Sequence, residues 1–170
     1  MTAWVALCDV TPETGPVEFA VGSHIRGQLM QKSGVIKNSV NTAGQVIVEW
    51  FDQSTIDRAI LKPGQFSVHH TCVVHQSAPN RSPKRRIGLA LSYISTRTRH
   101  VGSKKMPACL VRGKDDYHHF ELQPPPQQDF GTAETQRHDT TFKTYLASFY
   151  EQLDIAEKDM PADVAATLMN

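Results

Sequence analysis

Residues 64–93, GQFSVHHTCVVHQSAPNRSPKRRIGLALSY, decide the fold of this chain and its candidate chemistry. One strand-like segment leads to His75, a polar turn rich in serine, proline and asparagine follows, and an alternating apolar segment begins after Arg86. Alternation of this kind predicts strands, and the residues between them predict a turn. The stretch therefore places an imidazole, which can bind a metal, before a turn and a guanidinium, which can bind an anion, after it.

The composition argues against several classes of protein. A chain of 170 residues suits a single domain with a sizeable core. Its 18 Lys and Arg residues nearly balance 17 Asp and Glu residues, so no strong field attracts nucleic acid. No apolar run approaches the ~20 residues that span a bilayer, and no signal peptide is recognisable. We therefore expect neither nucleic acid nor a membrane as a partner.

The cysteines indicate a reducing compartment. Cys8, Cys72 and Cys109 are odd in number and widely spaced. This pattern predicts reduced, mostly buried thiols in a cytoplasmic protein rather than a disulfide framework or a zinc site.

Short strands separated by turns dominate the first part of the chain. Residues 25–42 show no clear period and are predicted to form a long loop. Beyond residue 95 the chain is charged and irregular until a helix predicted over 132–153, and a second short helix at 161–169 is possible. The predicted strands are 2–10, 17–21, 45–50, 58–61 and 86–95, with 66–69 and 71–75 as two parts of one further strand. The apolar face of the main helix is expected to comprise Phe142, Tyr145, Leu146, Phe149 and Leu153.

The order of these elements predicts a fold class. About six short strands followed by a helix indicate an all-β sandwich or barrel with helical decoration. A double-sheet jelly roll has eight strands, which is more than the sequence pattern supplies.

Several motifs, in the same order along the chain, resemble the phytanoyl-CoA dioxygenase-like family of Fe(II)/2-oxoglutarate oxygenases. They are WVALCDV at 4–10, GPV at 15–17 leading to GSH at 22–24, PGQ at 63–65, HQSAPNRS at 75–82, LVRGKD at 110–115 and HFE at 119–121. Arg86 follows His75 by eleven residues. The resemblance implies one domain over residues 1–170 with a mainly β, double-stranded β-helix fold, a cupin-type jelly roll. The barrel would occupy about 1–95, incomplete at its amino terminus, and a loop and helical extension about 96–170.

The resemblance also implies roles for individual residues. His75 matches the distal histidine ligand of the iron, and Arg86 matches the arginine that pairs with the distal carboxylate of 2-oxoglutarate. Ser77 matches a hydroxyl that helps to hold that carboxylate, and Trp4 matches a tryptophan that lines the cosubstrate pocket. The implied cofactors are Fe(II) and, as cosubstrates, 2-oxoglutarate and O₂.

The chemistry implied by the family is oxidation, by expectation hydroxylation, of a small molecule with decarboxylation of 2-oxoglutarate to succinate. A polar cradle that includes Arg97, Arg112 and His119 could contact the substrate, although a solvated surface loop explains these residues equally well. The substrate is not predictable from the pattern, because loops rather than the barrel set the substrate in this kind of fold. The pattern does not predict the oligomeric state either.

One expected motif is missing. The family holds iron in a His-x-Asp…His facial triad, and His-x-Asp occurs nowhere in these 170 residues. Its place in the family is some fifteen residues before the Trp4 strand. We therefore expect an amino-terminally truncated chain that is incomplete and inactive on its own. The alternatives are a binding module that has lost its metal, a fragment without independent existence, and a halogenase-type relative.

Two of these roles have alternative explanations in the sequence. His75 could instead be a hydrogen-bonded core histidine. Arg86 precedes the apolar alternation directly and is the better inward-facing candidate, whereas Arg85 is expected to be solvated. His69 and His70 are expected to pack or to line the pocket, with one of them facing inward.

Overall fold

The computed structural model describes residues 1–35, 43–154 and 166–168. These residues form a mainly β structure of short sheets with one long helix near the carboxyl end. Their contacts group the chain into two units, Met1–Lys32 with Ile47–Ile94 and Ser33–Val46 with Ser95–Asn170. Among the described helices, none combines the length and the apolar character required to cross a membrane.

Six strands of the first unit build two three-stranded sheets. The strands are β1 (Thr2–Ala6), β2 (Val17–Ala20), β5 (Ile56–Arg58), β6 (Phe66–His69), β7 (His75–Ser77) and β8 (Gly88–Ser92). The order is β6-β1-β8 in one sheet and β5-β2-β7 in the other, and every neighbouring pair is antiparallel. Short 3₁₀ turns at Pro12–Thr14, Ser23–Arg26 and Gln53–Thr55 connect them.

The register of the first sheet sorts its side chains onto two faces. Trp4 lies opposite Ser67 on β6 and Ala90 on β8, and Thr2 lies opposite His69 and Ser92. Because side chains alternate along a strand, these residues share one face. The other face is apolar and exposed, with Phe66 at 61%, Val68 at 55%, Leu89 at 48% and Leu91 at 38% of its accessible surface.

The second sheet has a similar division. Phe19 on the central strand β2 lies opposite His75 on β7 and Asp57 on β5. The next residue along, Glu18, lies opposite Gln76 and Arg58 on the other face. One face thus carries the candidate metal ligand, and the other carries a row of polar side chains.

The second unit contains the remaining elements. They are β3 (Gln31–Val35), β4 (Ala43–Ile47), β9 (Pro107–Ala108), β10 (Glu121–Leu122) and α1 (Thr132–Gln152). Strands β3 and β4 pair with each other, and β9 pairs with β10 in parallel. A short helical stretch at 166–168 falls within the predicted second helix, most of which lies outside the described residues.

The structure corrects several predicted elements. The predicted loop at 25–42 contains strand β3, although residues 36–42 lie outside the described part of the chain. The predicted strand at 71–75 is a turn that leads into β7 at His75. The first predicted strand ends at Ala6, and only Val10 makes a further bridge, to Leu61. Pairing partners outside each local segment decide these boundaries, so a local pattern does not reveal them.

The buried face of α1 also differs from the predicted one. Phe142 and Tyr145 are 45% and 48% exposed, whereas Ser148 and Tyr150 are buried. The exposed rings stack on one another along the helix, with Phe142 6.4 Å from Tyr145 between ring centroids. The rest of the predicted stripe does pack, since Leu153 is buried beside Tyr150 and both Leu146 and Phe149 pack against them. Ser148 Oγ on this helix is 2.8 Å from His100 Nε2.

A glycine fixes the turn that follows β7. Gly15 has a φ of +73°, and a Cβ there would overlap the backbone carbonyl of Ala78. The same connection is tied by the Arg81 N–H, which donates to the Glu13 carbonyl at 2.9 Å. Gly15 therefore lets the Pro12–Thr14 segment lie directly against the turn between the two predicted site residues.

We expect Gly15→Ala to lower the free energy of unfolding by more than Gly22→Ala. Both positions have positive φ, which costs a non-glycine residue about 1–2 kcal/mol. Only Gly15 also faces a backbone atom, and overpacking of this kind adds about 1–3 kcal/mol. Urea unfolding midpoints of the two variants measure the difference, and equal midpoints would contradict the packing argument.

Candidate functional site

The candidate site lies between the facing sides of the two sheets of the first unit. The His69 ring on β6 is 4.8 Å from the Phe19 ring on β2 and 5.4 Å from the His75 ring on β7, between centroids. These contacts cross from one sheet to the other. The face that carries Trp4 and the face that carries His75 therefore point toward each other.

The His75 ring is oriented by the backbone. Its Nδ1 is 2.9 Å from the Val73 carbonyl oxygen. A carbonyl oxygen can only accept, so Nδ1 carries the proton and donates. In the neutral ring this leaves the lone pair on Nε2, which is the arrangement found in metal-binding histidines whose second nitrogen is held by a carbonyl.

His69 occupies a less polar environment than an exposed histidine. Burial is the main cause that lowers the pKa of His69, and the nearby His75 and the chain's amino terminus lower it further. Its Nδ1 is buried, as is Ser67 Oγ on the same face of β6, and neither atom has a hydrogen-bond partner among the described residues. Alternation along residues 66–69 already predicted that one of His69 and His70 faces inward, and the structure identifies it as His69.

Trp4 and Arg86 form the opposite end of the site. The Arg86 guanidinium carbon lies 5.6 Å from the centroid of the Trp4 ring, within the range of a cation–π contact. Arg85 is exposed, and its carbonyl oxygen accepts a contact of 3.3 Å from Cys8 Sγ. A Cβ on Gly88 would overlap the Trp4 indole, so only glycine lets the ring lie against β8.

Ser77 lies on β7 two residues after His75. Residues at this spacing on a strand share a face, so the Ser77 hydroxyl is on the side of the His75 ring. The structure thus brings four of the predicted residues to the facing sides of the two sheets. The predicted metal and cosubstrate roles of His75, Ser77, Arg86 and Trp4 stay predictions.

A polar row that the sequence did not indicate supports His75 from behind. The Glu18 carboxylate is buried and accepts from Arg58 Nε at 2.8 Å and from Gln76 Nε2 at 3.0 Å. These hydrogen bonds, Arg58 first and Gln76 second, hold the pKa of Glu18 below its ordinary value of 4.5. They join β2 to both neighbouring strands, one of which carries His75. The sequence pattern did not predict these pairs, because Glu18 is 40 residues from Arg58 and 58 residues from Gln76.

The histidines outside the site have separate partners. The His24 and His70 rings contact each other at a tilt of 38°, with centroids 5.5 Å apart, and His70 Nδ1 accepts from the Cys72 N–H at 3.1 Å. Cys8 and Cys72 are half-buried free thiols. Cys109 is exposed, so the prediction of mostly buried thiols is wrong for that residue.

The predicted substrate residues lie in the second unit. Arg97 belongs to a turn in which its N–H donates to Ser95 Oγ at 3.3 Å, and Arg112 is exposed. His119 lies beside Tyr117, with ring centroids 5.8 Å apart. Each residue is accounted for within its own loop, and a shared substrate contact stays a prediction.

The described residues do not form a complete metal site. No group of three or more His, Cys, Asp or Glu side chains in this part of the chain is arranged to hold an ion. The sequence does contain one His-x-Glu spacing, at residues 119–121. However, Glu121 there begins β10, which pairs with β9 in the second unit. The described residues therefore fit an iron site only in part, and the role of His75 as a ligand stays a prediction.

The comparisons with known proteins agree with this arrangement. A family model described as phytanoyl-CoA dioxygenase (PhyH) matches residues 1–88, just over half of the chain. Those residues include five of the six strands of the two facing sheets and, of β8, only its first residue, Gly88. The search of curated proteins gave no match.

Two similar solved structures are described as non-heme monooxygenases. One, named ThoJ in its apo form, is 27% identical with a TM-score of 0.65, and the match covers 99% of this chain and 54% of that one. The other, a ThoJ–Ni complex, is also 27% identical with a TM-score of 0.60, over 90% of this chain and 49% of that one. This chain therefore spans about half the length of the structures that it matches.

The contact between Gly88 and Trp4 can be tested by substitution. We expect Gly88→Ala to displace the indole and to separate it from Arg86, because the added methyl group would overlap the ring. In a Trp50→Phe background the fluorescence maximum then reports Trp4 alone, and we expect it to shift. Gly34→Ala, where a Cβ meets nothing within 4 Å, is the control. An unchanged spectrum in Gly88→Ala would contradict the described contact.

The Glu18 row predicts how stability depends on pH. A carboxyl group whose pKa is lowered by folding stabilises the fold above its unfolded pKa, and this contribution is lost as the pH falls through the folded value. We therefore expect the parent chain to lose stability as the pH falls below about 4.5. The contribution is modest, because the Arg58 side chain is 59% exposed.

Glu18→Gln is the matched variant for this measurement, because it keeps the shape and removes the charge. Unfolding free energies measured at pH 7, 5 and 3.5 should show the parent more stable at pH 7 and the difference shrinking at pH 3.5. A difference that stays constant across this range would show that Glu18 ionisation does not contribute.

Proposed function

Because this chain belongs to the phytanoyl-CoA dioxygenase family, we propose that it forms the cosubstrate-binding part of a metal-dependent oxygenase that uses 2-oxoglutarate. The observation that carries the proposal is the placement of Arg86 over Trp4 on one sheet and of His75 on the facing sheet. An anion-binding group and a metal-binding group then border one cleft. This is the combination that a keto-acid requires when it also contacts a metal.

The proposed fold is a double-stranded β-helix. The two three-stranded antiparallel sheets with facing sides supply six of the eight strands that such a jelly roll contains. The likeness to the non-heme monooxygenase structures supports this proposal. The remaining strands of the jelly roll would come from outside these two sheets.

The cosubstrate would be held through its distal carboxylate. A guanidinium presents a planar fork that matches a carboxylate with two hydrogen bonds. Trp4 keeps the Arg86 side chain over its ring, which limits the positions that the guanidinium can adopt. Ser77, on the same strand as His75, would add a hydroxyl donor from the facing sheet.

The metal would be held by His75 together with ligands beyond those that the described residues assemble. The Val73 carbonyl fixes the proton on Nδ1, so Nε2 is the donor atom available to Fe(II). Bound Fe(II) would supply the activation of O₂ for which the family is known. Since the described residues do not complete the metal site, we assign to this chain the residues that bind the cosubstrate and one ligand of the metal.

The proposed reaction converts 2-oxoglutarate to succinate and CO₂ while a small molecule is oxidised, by proposal hydroxylated. Arg97, Arg112 and His119 are the proposed substrate contacts, and the proposed location is the cytoplasm. Halogenation is the alternative outcome if a small residue replaces the carboxylate ligand. A second candidate function is non-catalytic binding of a keto-acid. The absence of a three-ligand group among the described residues favours it.

Both candidate functions require Arg86 to bind the keto-acid, which a matched pair of variants can test. We expect Arg86→Ala to weaken 2-oxoglutarate binding by about 10- to 100-fold, the range for a hydrogen bond to a charged group. Arg86→Lys should also weaken binding, because an ammonium group lacks the fork. Arg85→Ala removes an equal charge from the exposed neighbour and should change the affinity less than about twofold.

The binding is measured by calorimetry or by the fluorescence of Trp4 in a Trp50→Phe background. If Arg85→Ala and Arg86→Ala lowered the affinity for 2-oxoglutarate equally, the effect would come from net charge alone. That result would contradict a specific contact between Arg86 and the carboxylate. Failure of the parent chain to bind 2-oxoglutarate would contradict both candidate functions.

A further inference from the structure

Two unpartnered polar atoms mark one face of β6. Ser67 Oγ and His69 Nδ1 are buried and have no hydrogen-bond partner among the described residues. Both side chains are on the face of the sheet that carries Trp4, and this face points toward His75. Buried polar atoms in folded proteins nearly always have a partner. A partner that the described residues do not supply is therefore expected at this face.

The spacing of His69 and His75 suits a shared cation. Their ring centroids are 5.4 Å apart and the rings are tilted by 45°. An imidazole nitrogen binds Zn²⁺ or a similar ion at about 2.0–2.1 Å, which separates the centroids of two ligating rings by roughly 4.5–5.3 Å. The observed separation of 5.4 Å is slightly above this range, and a small side-chain movement would bring the two rings within it.

Each ring also has a nitrogen for which the described residues provide no hydrogen-bond partner. His75 Nδ1 donates to the Val73 carbonyl, and no hydrogen bond to Nε2 occurs within the described residues. His69 Nδ1 is the buried unpartnered atom. One lone pair from each ring is thus available for the same ion.

We propose that His69 is a second protein ligand for the divalent cation that His75 binds. The ion would belong to the borderline class that imidazole prefers, such as Fe²⁺, Co²⁺, Ni²⁺ or Zn²⁺. The proposal rests on the proposed function in one respect, namely that His75 is a metal ligand. It goes beyond that function because the His-x-Asp…His pattern assigns no role to His69.

A second histidine pair competes with this site. The His24 and His70 rings are 5.5 Å apart between centroids, which is nearly the same separation. Both side chains are exposed, as is that of His75, but His70 Nδ1 already accepts from the Cys72 N–H. Neither residue has a buried unpartnered atom among the described groups. The unsatisfied atom therefore favours the His69–His75 pair.

The test is calorimetric titration of Ni²⁺ into the 170-residue chain and four variants. The parent should bind one Ni²⁺ per chain. His69→Ala and His75→Ala should each weaken binding by more than about 100-fold, since loss of a direct ligand exceeds the 10- to 100-fold cost of losing a residue that only orients one. His70→Ala and Ser67→Ala, which change the competing pair and the other unpartnered atom, should stay within about threefold.

Paramagnetic broadening by Ni²⁺ or Co²⁺ gives a second measurement on the unmodified chain. We expect the ring signals of both His69 and His75 to broaden before those of His24 and His70. Because it uses the unmodified chain, this measurement tests the second ligand even if a histidine variant fails to fold. Circular dichroism of each variant shows whether it has folded.

The outcomes separate this proposal from the proposed function. Loss of binding in His75→Ala but not in His69→Ala overturns the second ligand and leaves His75 in its role. Loss in His69→Ala but not in His75→Ala overturns both. Binding that depends on His70 places the ion at the competing pair and overturns the inference, as does a parent chain that binds no Ni²⁺.

Discussion

The central position of β1 is the constraint on which the Trp4 and Arg86 half of the candidate site depends. This strand is hydrogen-bonded to β6 on one side and to β8 on the other, so its register is fixed twice. A slip of one residue would turn Trp4 to the opposite face, because strand side chains alternate. The same pairing places Gly88 beneath the indole and so decides where Arg86 can lie. Backbone pairing therefore fixes the position of the Trp4 ring.

The same register creates a surface that is harder to accommodate in water. The face opposite Trp4 carries Phe66, Val68, Leu89 and Leu91, all of them well exposed in the described structure. Contiguous exposed apolar side chains on a sheet favour association with another apolar surface. The inward face shows the converse, because polar atoms of Ser67 and His69 are buried there without partners. Both faces of this sheet thus carry groups that the first unit alone does not satisfy.

Sequence reasoning was most accurate where structure is local or where motifs carry the family resemblance. The bounds of β6 coincide with the predicted 66–69, and α1 begins at the predicted residue 132. Strand β3 was missed because its apolar alternation is weak and its identity depends on pairing with β4. The Glu18 row was missed for the same reason, since its partners are distant in sequence. The exposed rings of Phe142 and Tyr145 show that an apolar helical stripe does not always face a core.

The separation of the two principal site residues is set by packing across the sheets rather than by the turn between them. His75 and Arg86 flank a turn in the sequence, but they lie beside different sheets, so their distance depends on how closely those sheets approach. The contacts of His69 with Phe19 and His75 are the ring contacts that span this gap. The turn itself is anchored elsewhere, by Gly15 against Ala78 and by the Arg81 N–H on the Glu13 carbonyl. A change at His69 would therefore alter the spacing of the two sheets even if His69 bound no ligand, so this side chain has a structural role besides the proposed metal binding.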